Sequence, residues 1–83
     1  MPIVRFAWSP LLIEARREAC PRARWVAGQR AWIMSDGDAE TFIVVCHRKL
    51  TYERSHAEIT VDNARWVLGF VQGAPFTRPD GSV

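Results

Sequence analysis

Residues 23–34, Ala-Arg-Trp-Val-Ala-Gly-Gln-Arg-Ala-Trp-Ile-Met, carry the pattern that decides the fold. Two short runs of β-prone residues flank Gly28-Gln29, and glycine at the first central position suits a type II′ hairpin turn. That turn places Trp25 directly opposite Trp32, a pair worth up to about 1 kcal/mol beyond its burial. The register predicts one face made of Trp25, Ala27, Arg30, Trp32 and Met34, and a second face made of Arg24, Val26, Ala31 and Ile33.

The residues before the hairpin predict a strand and a helix. Residues 2–8 alternate, with Val4, Phe6 and Trp8 on one face, as expected of a strand. Ser9-Pro10 is typical of a helix start, because proline at the first helical position lacks only an N–H that would have no partner there. Pro21 disfavours helical geometry at residue 20, so this helix should end near residues 19–20.

The residues after the hairpin predict a second helix over 36–50, capped by Ser35. Its core stripe is Ala39, Phe42, Ile43, Cys46 and Leu50, which should be buried while Glu40, His47 and Arg48 stay exposed. A short strand is expected over 57–61. A third helix, capped by Asp62 or Thr60 and stopped by Gly73, is expected after it, with Ala64, Val67, Leu68 and Val71 on one face.

These elements predict a small α+β domain with an antiparallel sheet and its helices on one face. The order is β-α-β-β-α followed by a short strand and a third helix. We expect one domain over residues 1–75 and a loose tail over 76–83.

Length and composition exclude several classes of protein. With 83 residues the chain has room for one small core, and 48% hydrophobic residues argue against a disordered chain. No apolar run reaches the roughly 20 residues that a membrane helix needs, and nothing reads as a signal peptide. Two cysteines are too few for a disulfide scaffold and suit a reducing compartment, so we expect a cytoplasmic module without a membrane partner.

The charge is distributed unevenly along the chain. Residues 1–34 hold six arginines against two glutamates, a net +4, whereas residues 35–83 hold five basic and seven acidic residues, a net −2. This asymmetry points to a polyanionic partner for the first part of the chain. Ten of the eleven basic residues are arginine; phosphate recognition would explain this bias, but a GC-rich genome is the favoured explanation.

No arrangement of residues predicts catalysis, a metal site or a cofactor, and we expect a protein that is not an enzyme. The only plausible metal ligands are Cys20, Cys46, His47 and His56. Neighbouring Cys46 and His47 diverge by about 100° on a helix, so buried free thiols are the favoured interpretation. Asp36 and Asp38 at a helix start are more typical of capping than of catalysis. The five glycines are scattered and form no phosphate-binding loop.

The order strand, helix, "ARW", a short turn and "AW" followed by an apolar residue resembles the HARP-like modules of annealing helicases. It is also similar to short plasmid and phage domains that carry an "ARWD…KKW" hairpin. The resemblance covers residues 3–50 in its order of elements. This sequence departs from the pattern at Val26 and Arg22, and it lacks the proline that usually follows the last strand. The resemblance implies a non-catalytic accessory module that engages branched or single-stranded DNA.

Arginines interleaved with aromatic rings can grip phosphates and stack unpaired bases. The residues that this function would use are Arg16, Arg17, Arg22, Arg24, Arg30, Trp25 and Trp32. A core role for the two tryptophans is the favoured alternative, because so small a domain needs large aromatics inside. The competing function is a small protein-binding adaptor or inhibitor from a mobile genetic element, which would dock by a sheet edge or by exposed aromatics.

Overall fold

The computed structural model of the chain describes residues 1–70. Within this range the predicted α+β class is confirmed: two helices pack on a five-stranded antiparallel sheet. The elements are β1 (Ile3–Phe6), α1 (Pro10–Ala19), β2 (Arg24–Val26), β3 (Ala31–Ile33), α2 (Asp36–Tyr52), β4 (His56–Val61) and β5 (Ala64–Gly69). The predicted domain end at residue 75 and the tail at 76–83 lie outside the described residues. Neither described helix is long and apolar enough to cross a bilayer.

The strands lie in the order β2-β3-β1-β4-β5, so β1 is central and β2 is at one edge. The register places Val4 beside Trp32 on one side and Val61 on the other, and these side chains share the face that the helices cover. The core cluster draws on both helices and on this face, with Val4, Phe42, Cys46, Ile59 and Leu68 fully buried. The helices therefore pack on one face of the sheet, as the sequence predicted.

Helix α2 confirms the predicted stripe with one correction. Ala39, Phe42, Cys46 and Leu50 are buried and Ile43 is partly buried, and the Ser35 hydroxyl accepts the N–H of Asp38 as a cap. His47, expected in solvent, is only half exposed, because its Nδ1 accepts the backbone N–H of Gly69 at 3.0 Å. The end of strand β5 reaches this helix face and covers the ring.

The predicted third helix is wrong over residues 62–70, which form the turn and strand β5 of a hairpin with β4. Asp62 adopts a left-handed φ of 56° at the turn instead of capping a helix. Its N–H donates to the Ile3 carbonyl at 2.7 Å, and its Oδ1 accepts the Ile3 N–H at 3.0 Å. Pairing with β4, which is itself paired to β1, decided the conformation of a segment whose apolar spacing fits a helix as well as a strand.

The β2–β3 hairpin has the predicted register but a different turn. Trp25 pairs with Trp32 and Val26 with Ala31, as expected. Residues Ala27–Gln29 form one turn of 3-10 helix, and Arg30 takes the left-handed conformation at φ 50°. The type II′ prediction is therefore wrong, because Arg30 rather than Gly28 supplies the positive φ that closes the loop.

Candidate nucleic-acid interface

An open cleft of about 660 Å³ lies at the β2–β3 end of the sheet, beside α1. Its lining consists of Phe6, Trp8, Ile13, Trp25, Ala27, Arg30 and Trp32. Helix α2 packs mainly on β4 and β5, and α1 has only ten residues, which is roughly 15 Å of helix. The two helices consequently leave the outer hairpin partly uncovered, and we call this space the aromatic cleft.

Three tryptophans meet in the aromatic cleft with different degrees of exposure. Trp32 is half-buried and packs against the core, whereas Trp25 is 53% exposed and Trp8 is 77% exposed. The rings of Trp25 and Trp32 lie 5.4 Å apart at an interplanar angle of 59°, a tilted pairing. The core interpretation therefore fits Trp32 and is wrong for Trp25, since neither of the two described helices covers the edge strand β2.

Trp8 is a site residue that sequence reasoning missed. The alternation of residues 2–8 predicted it on the apolar face of the first strand, but β1 ends at Phe6 and Trp8 lies beyond it in solvent. The position of Trp8 directly before Ser9-Pro10 could have indicated its exposure. A residue between the end of a strand and the start of a helix has no neighbouring strand to cover it.

Arg16, on helix α1, contacts the ring of Trp32 in the aromatic cleft. Its guanidinium carbon lies 4.2 Å from the Trp32 ring centroid, and its Nη1 donates to the Cys20 carbonyl at 3.4 Å. Its Nε is buried without a hydrogen-bond partner. Arg16 thus supports Trp32 from helix α1 by a cation–π contact.

The aromatic cleft is electropositive. Arg30 belongs to its lining, no Asp or Glu does, and Arg30 forms no ion pair within residues 1–70. A non-glycine residue with φ near 50° costs of order 1 kcal/mol or more, so arginine is held at this loop position at some expense in stability. Aromatic faces beside an unpaired guanidinium suit a ligand with a flat ring and a negative charge.

Two other predicted residues, Arg22 and Arg24, lie in a second cavity of about 620 Å³. Residues of β2 alternate between the two spaces: Arg24 and Val26 line the second cavity, whereas Trp25 lines the aromatic cleft. Arg17 is exposed on α1 and belongs to neither lining. Five of the seven predicted residues therefore line one of the two spaces beside β2, Arg16 stacks on Trp32 without lining either space, and Arg17 lies apart.

Of the four residues considered as metal ligands, the two cysteines lie in the buried core cluster, whereas neither histidine is fully buried. Cys20 and Cys46 are buried free thiols, as the sequence predicted, and His56 is exposed at the start of β4. In the described part of the chain no three His, Cys, Asp or Glu residues are grouped so that they could hold a metal ion.

The chain matches no protein-family model, and no curated protein or solved structure matches it. The resemblance to HARP-like modules accordingly stays a prediction. The geometry of the aromatic cleft is the basis on which function can be argued.

Proposed function

We propose that this protein is a non-catalytic module that binds single-stranded or branched DNA through the aromatic cleft. The observation that carries the proposal is the exposure of Trp8 and Trp25 around a cleft to which residues 1–70 contribute Arg30 and no carboxylate. A chain this small gives up stability by leaving two indole rings in water, and large exposed apolar surfaces mark sites of interaction. Stacking on aromatic rings is sequence-tolerant, because every base has a π-face.

Single strands suit the aromatic cleft better than duplexes do. Bases in a duplex are stacked on one another, so their faces become available to Trp8 and Trp25 only where the strand is unpaired. Arg30 then supplies a phosphate contact that fixes the strand without reading its sequence. Branched DNA enters the proposal because it presents unpaired bases at its junctions. We place the module in the cytoplasm, since Cys20 and Cys46 are unpaired thiols.

The test is the binding of a labelled single-stranded oligonucleotide, a forked one and a matched duplex to the full chain, followed by fluorescence anisotropy. We expect the single-stranded and forked DNA to bind at micromolar levels and to dissociate as salt rises. Trp8→Ala should weaken binding by about 1–3 kcal/mol, the usual contribution of one stacked base. Because Trp8 is 77% exposed, its loss should leave the fold intact, as circular dichroism can verify.

A matched pair of arginine variants separates a local contact from net charge. Arg30 and Arg54 are both exposed and both left-handed, with φ of 50° and 54°, and asparagine tolerates that conformation. Arg30→Asn should weaken DNA binding, whereas Arg54→Asn removes the same charge away from the cleft and should not. Absence of binding to single-stranded and forked DNA at low salt, where attraction is strongest, contradicts the proposal.

The second candidate is the protein-binding adaptor or inhibitor, from a mobile genetic element, which the other face of the sheet favours. In residues 1–70 no helix packs on the face that carries Ile3, Val26 and Ile33, and these apolar side chains are partly exposed. An interface confined to these three side chains, and clear of Arg5 and Arg24 on the same face, would be largely apolar. Its affinity would respond little to salt, in contrast to a phosphate interface, so a salt titration of any partner separates the two functions.

A further inference from the structure

Edge strand β2 is the boundary between the aromatic cleft and the second cavity. Trp25 and Ala27 line the first space, and Arg24 and Val26 line the second. Since successive side chains of a strand point to opposite faces, the two spaces lie on opposite sides of one exposed edge. Strand β2 has only three residues, and within residues 1–70 it pairs with β3 alone. A ligand long enough to occupy both spaces must pass over this edge.

The second cavity has its own preference for anions. Arg22 and Arg24 are exposed and form no ion pair within the described residues, unlike Arg48 and Arg65, which pair with glutamates. Among the described residues, Asp38 provides the single carboxylate of the lining, and none provides an aromatic ring. Two guanidinium groups against one carboxylate leave a net positive charge in this part of the cavity. Its chemistry suits phosphates and offers no stacking surface for bases.

We propose that a single nucleic-acid strand crosses the edge of β2, with bases stacked on Trp25 and Trp8 on one side and phosphates held by Arg22 and Arg24 on the other. This inference rests on the proposed function. It adds the path of the strand and assigns base contacts to one side of β2 and phosphate contacts to the other. A duplex cannot follow this path, because its persistence length of about 150 base pairs prevents a turn around one strand of a sheet. A single strand bends within a few nucleotides.

Oligothymidylates of about two to about sixteen nucleotides test the path, because short strands fill the cleft and only longer strands reach the second cavity. Wild-type affinity should rise with length beyond the shortest oligomer that binds measurably. The double variant Arg22→Gln/Arg24→Gln should bind that shortest oligomer as the wild type does. It should bind the longest oligomer roughly tenfold more weakly. The slope of log affinity against log salt concentration should flatten by about 1.4, which is about 0.7 for each lost phosphate contact.

The control is Arg54→Asn/Arg65→Gln, which removes the same net charge from exposed positions outside both linings. It should leave affinity and salt slope unchanged at every length, and Arg22→Lys/Arg24→Lys should restore most of the length-dependent gain. An equal loss for short and long oligomers, or no loss at all, overturns the path while leaving binding at the aromatic cleft in place. If no oligomer binds the wild type, the proposed function itself fails.

Discussion

The guanidinium of Arg16 stacks on the Trp32 ring, 4.2 Å from its centroid, and joins helix α1 to strand β3. Trp32 in turn packs against Trp25, with ring centroids 5.4 Å apart. The exposed indole of Trp25 is therefore connected to helix α1 through Trp32 and Arg16. Arg16 is therefore a positioning residue in this arrangement. Arg16 is less suited to phosphate binding than the exposed arginines are, because it is half-buried and its Nη1 already donates to the Cys20 carbonyl.

Replacing Arg16 by methionine should lower the free energy of unfolding by about 1 kcal/mol, measured by urea denaturation. The loss comes from the cation–π contact, which is worth about 0.5–2 kcal/mol when partly shielded. Arg17→Met is the matched control: the neighbouring residue is exposed and lines neither cavity, so its change should stay within about 0.5 kcal/mol. Equal effects of the two substitutions would contradict a specific role for Arg16.

Gly69→Ala should destabilise the protein by at least about 2 kcal/mol or prevent folding. Gly69 has a φ of 98°, and an added Cβ would collide with the backbone carbonyl of Ser55 and lie 2.6 Å from the Leu50 Cβ. Gly37 lies in helix α2 with nothing within 4 Å of an added Cβ, so Gly37→Ala should stabilise by roughly 0.5–1 kcal/mol. Thermal melts of both variants check that the melting temperature falls for Gly69→Ala and rises for Gly37→Ala.

Lys49 links the two helices, and its contribution to stability should depend on pH. Its Nζ lies 3.0 Å from Glu18 and 3.4 Å from Glu14, and the hydrogen bond from Lys49 is the main reason that the pKa of Glu18 lies below its usual 4.5. A carboxyl whose pKa is lowered by folding stabilises above its unfolded pKa and loses that contribution as pH falls through the folded value. The stability difference between wild type and Lys49→Met should therefore be present at neutral pH and shrink in acid and in high salt.

The melting temperatures of these two proteins, measured from pH 7 down to strongly acidic solution, check this expectation. A difference that persists unchanged in acid would contradict an ion-pair origin, because methionine keeps most of the aliphatic stem of Lys49 and removes its charge.

Both thiols should be inert at neutral pH until the protein unfolds. Burial raises the pKa of Cys20 to about 11 and raises that of Cys46 further, so almost no thiolate is present in the folded state. We expect labelling by a disulfide reagent to follow the urea unfolding curve with two thiols per chain. Fast labelling of one thiol in native protein would show that the helix-side core opens locally.

The sequence by itself determined the elements whose signals are local. Ser9-Pro10 and Ser35 predicted where the two helices begin, and Pro21 predicted where the first one ends. Apolar spacing predicted the buried stripe of α2. The register of the β2–β3 hairpin also followed from its own residues, because a short hairpin leaves few alternative pairings. Positive charge and aromatic rings in residues 22–32 marked the candidate interface before any tertiary contact was known.

Tertiary structure alone decided the conformation of residues 62–70 and the exposure of the tryptophans. The spacing of Ala64, Val67 and Leu68 fits either a helix or a strand, and pairing of β5 with β4 made the choice. Likewise, Trp25 and Trp32 are equivalent in the hairpin, yet only Trp32 lies next to helix α1 and its Arg16. Burial depends on what packs from elsewhere in the chain, so the local pattern named Trp25 and Trp32 but missed Trp8, and it did not show that Trp8 and Trp25 are exposed.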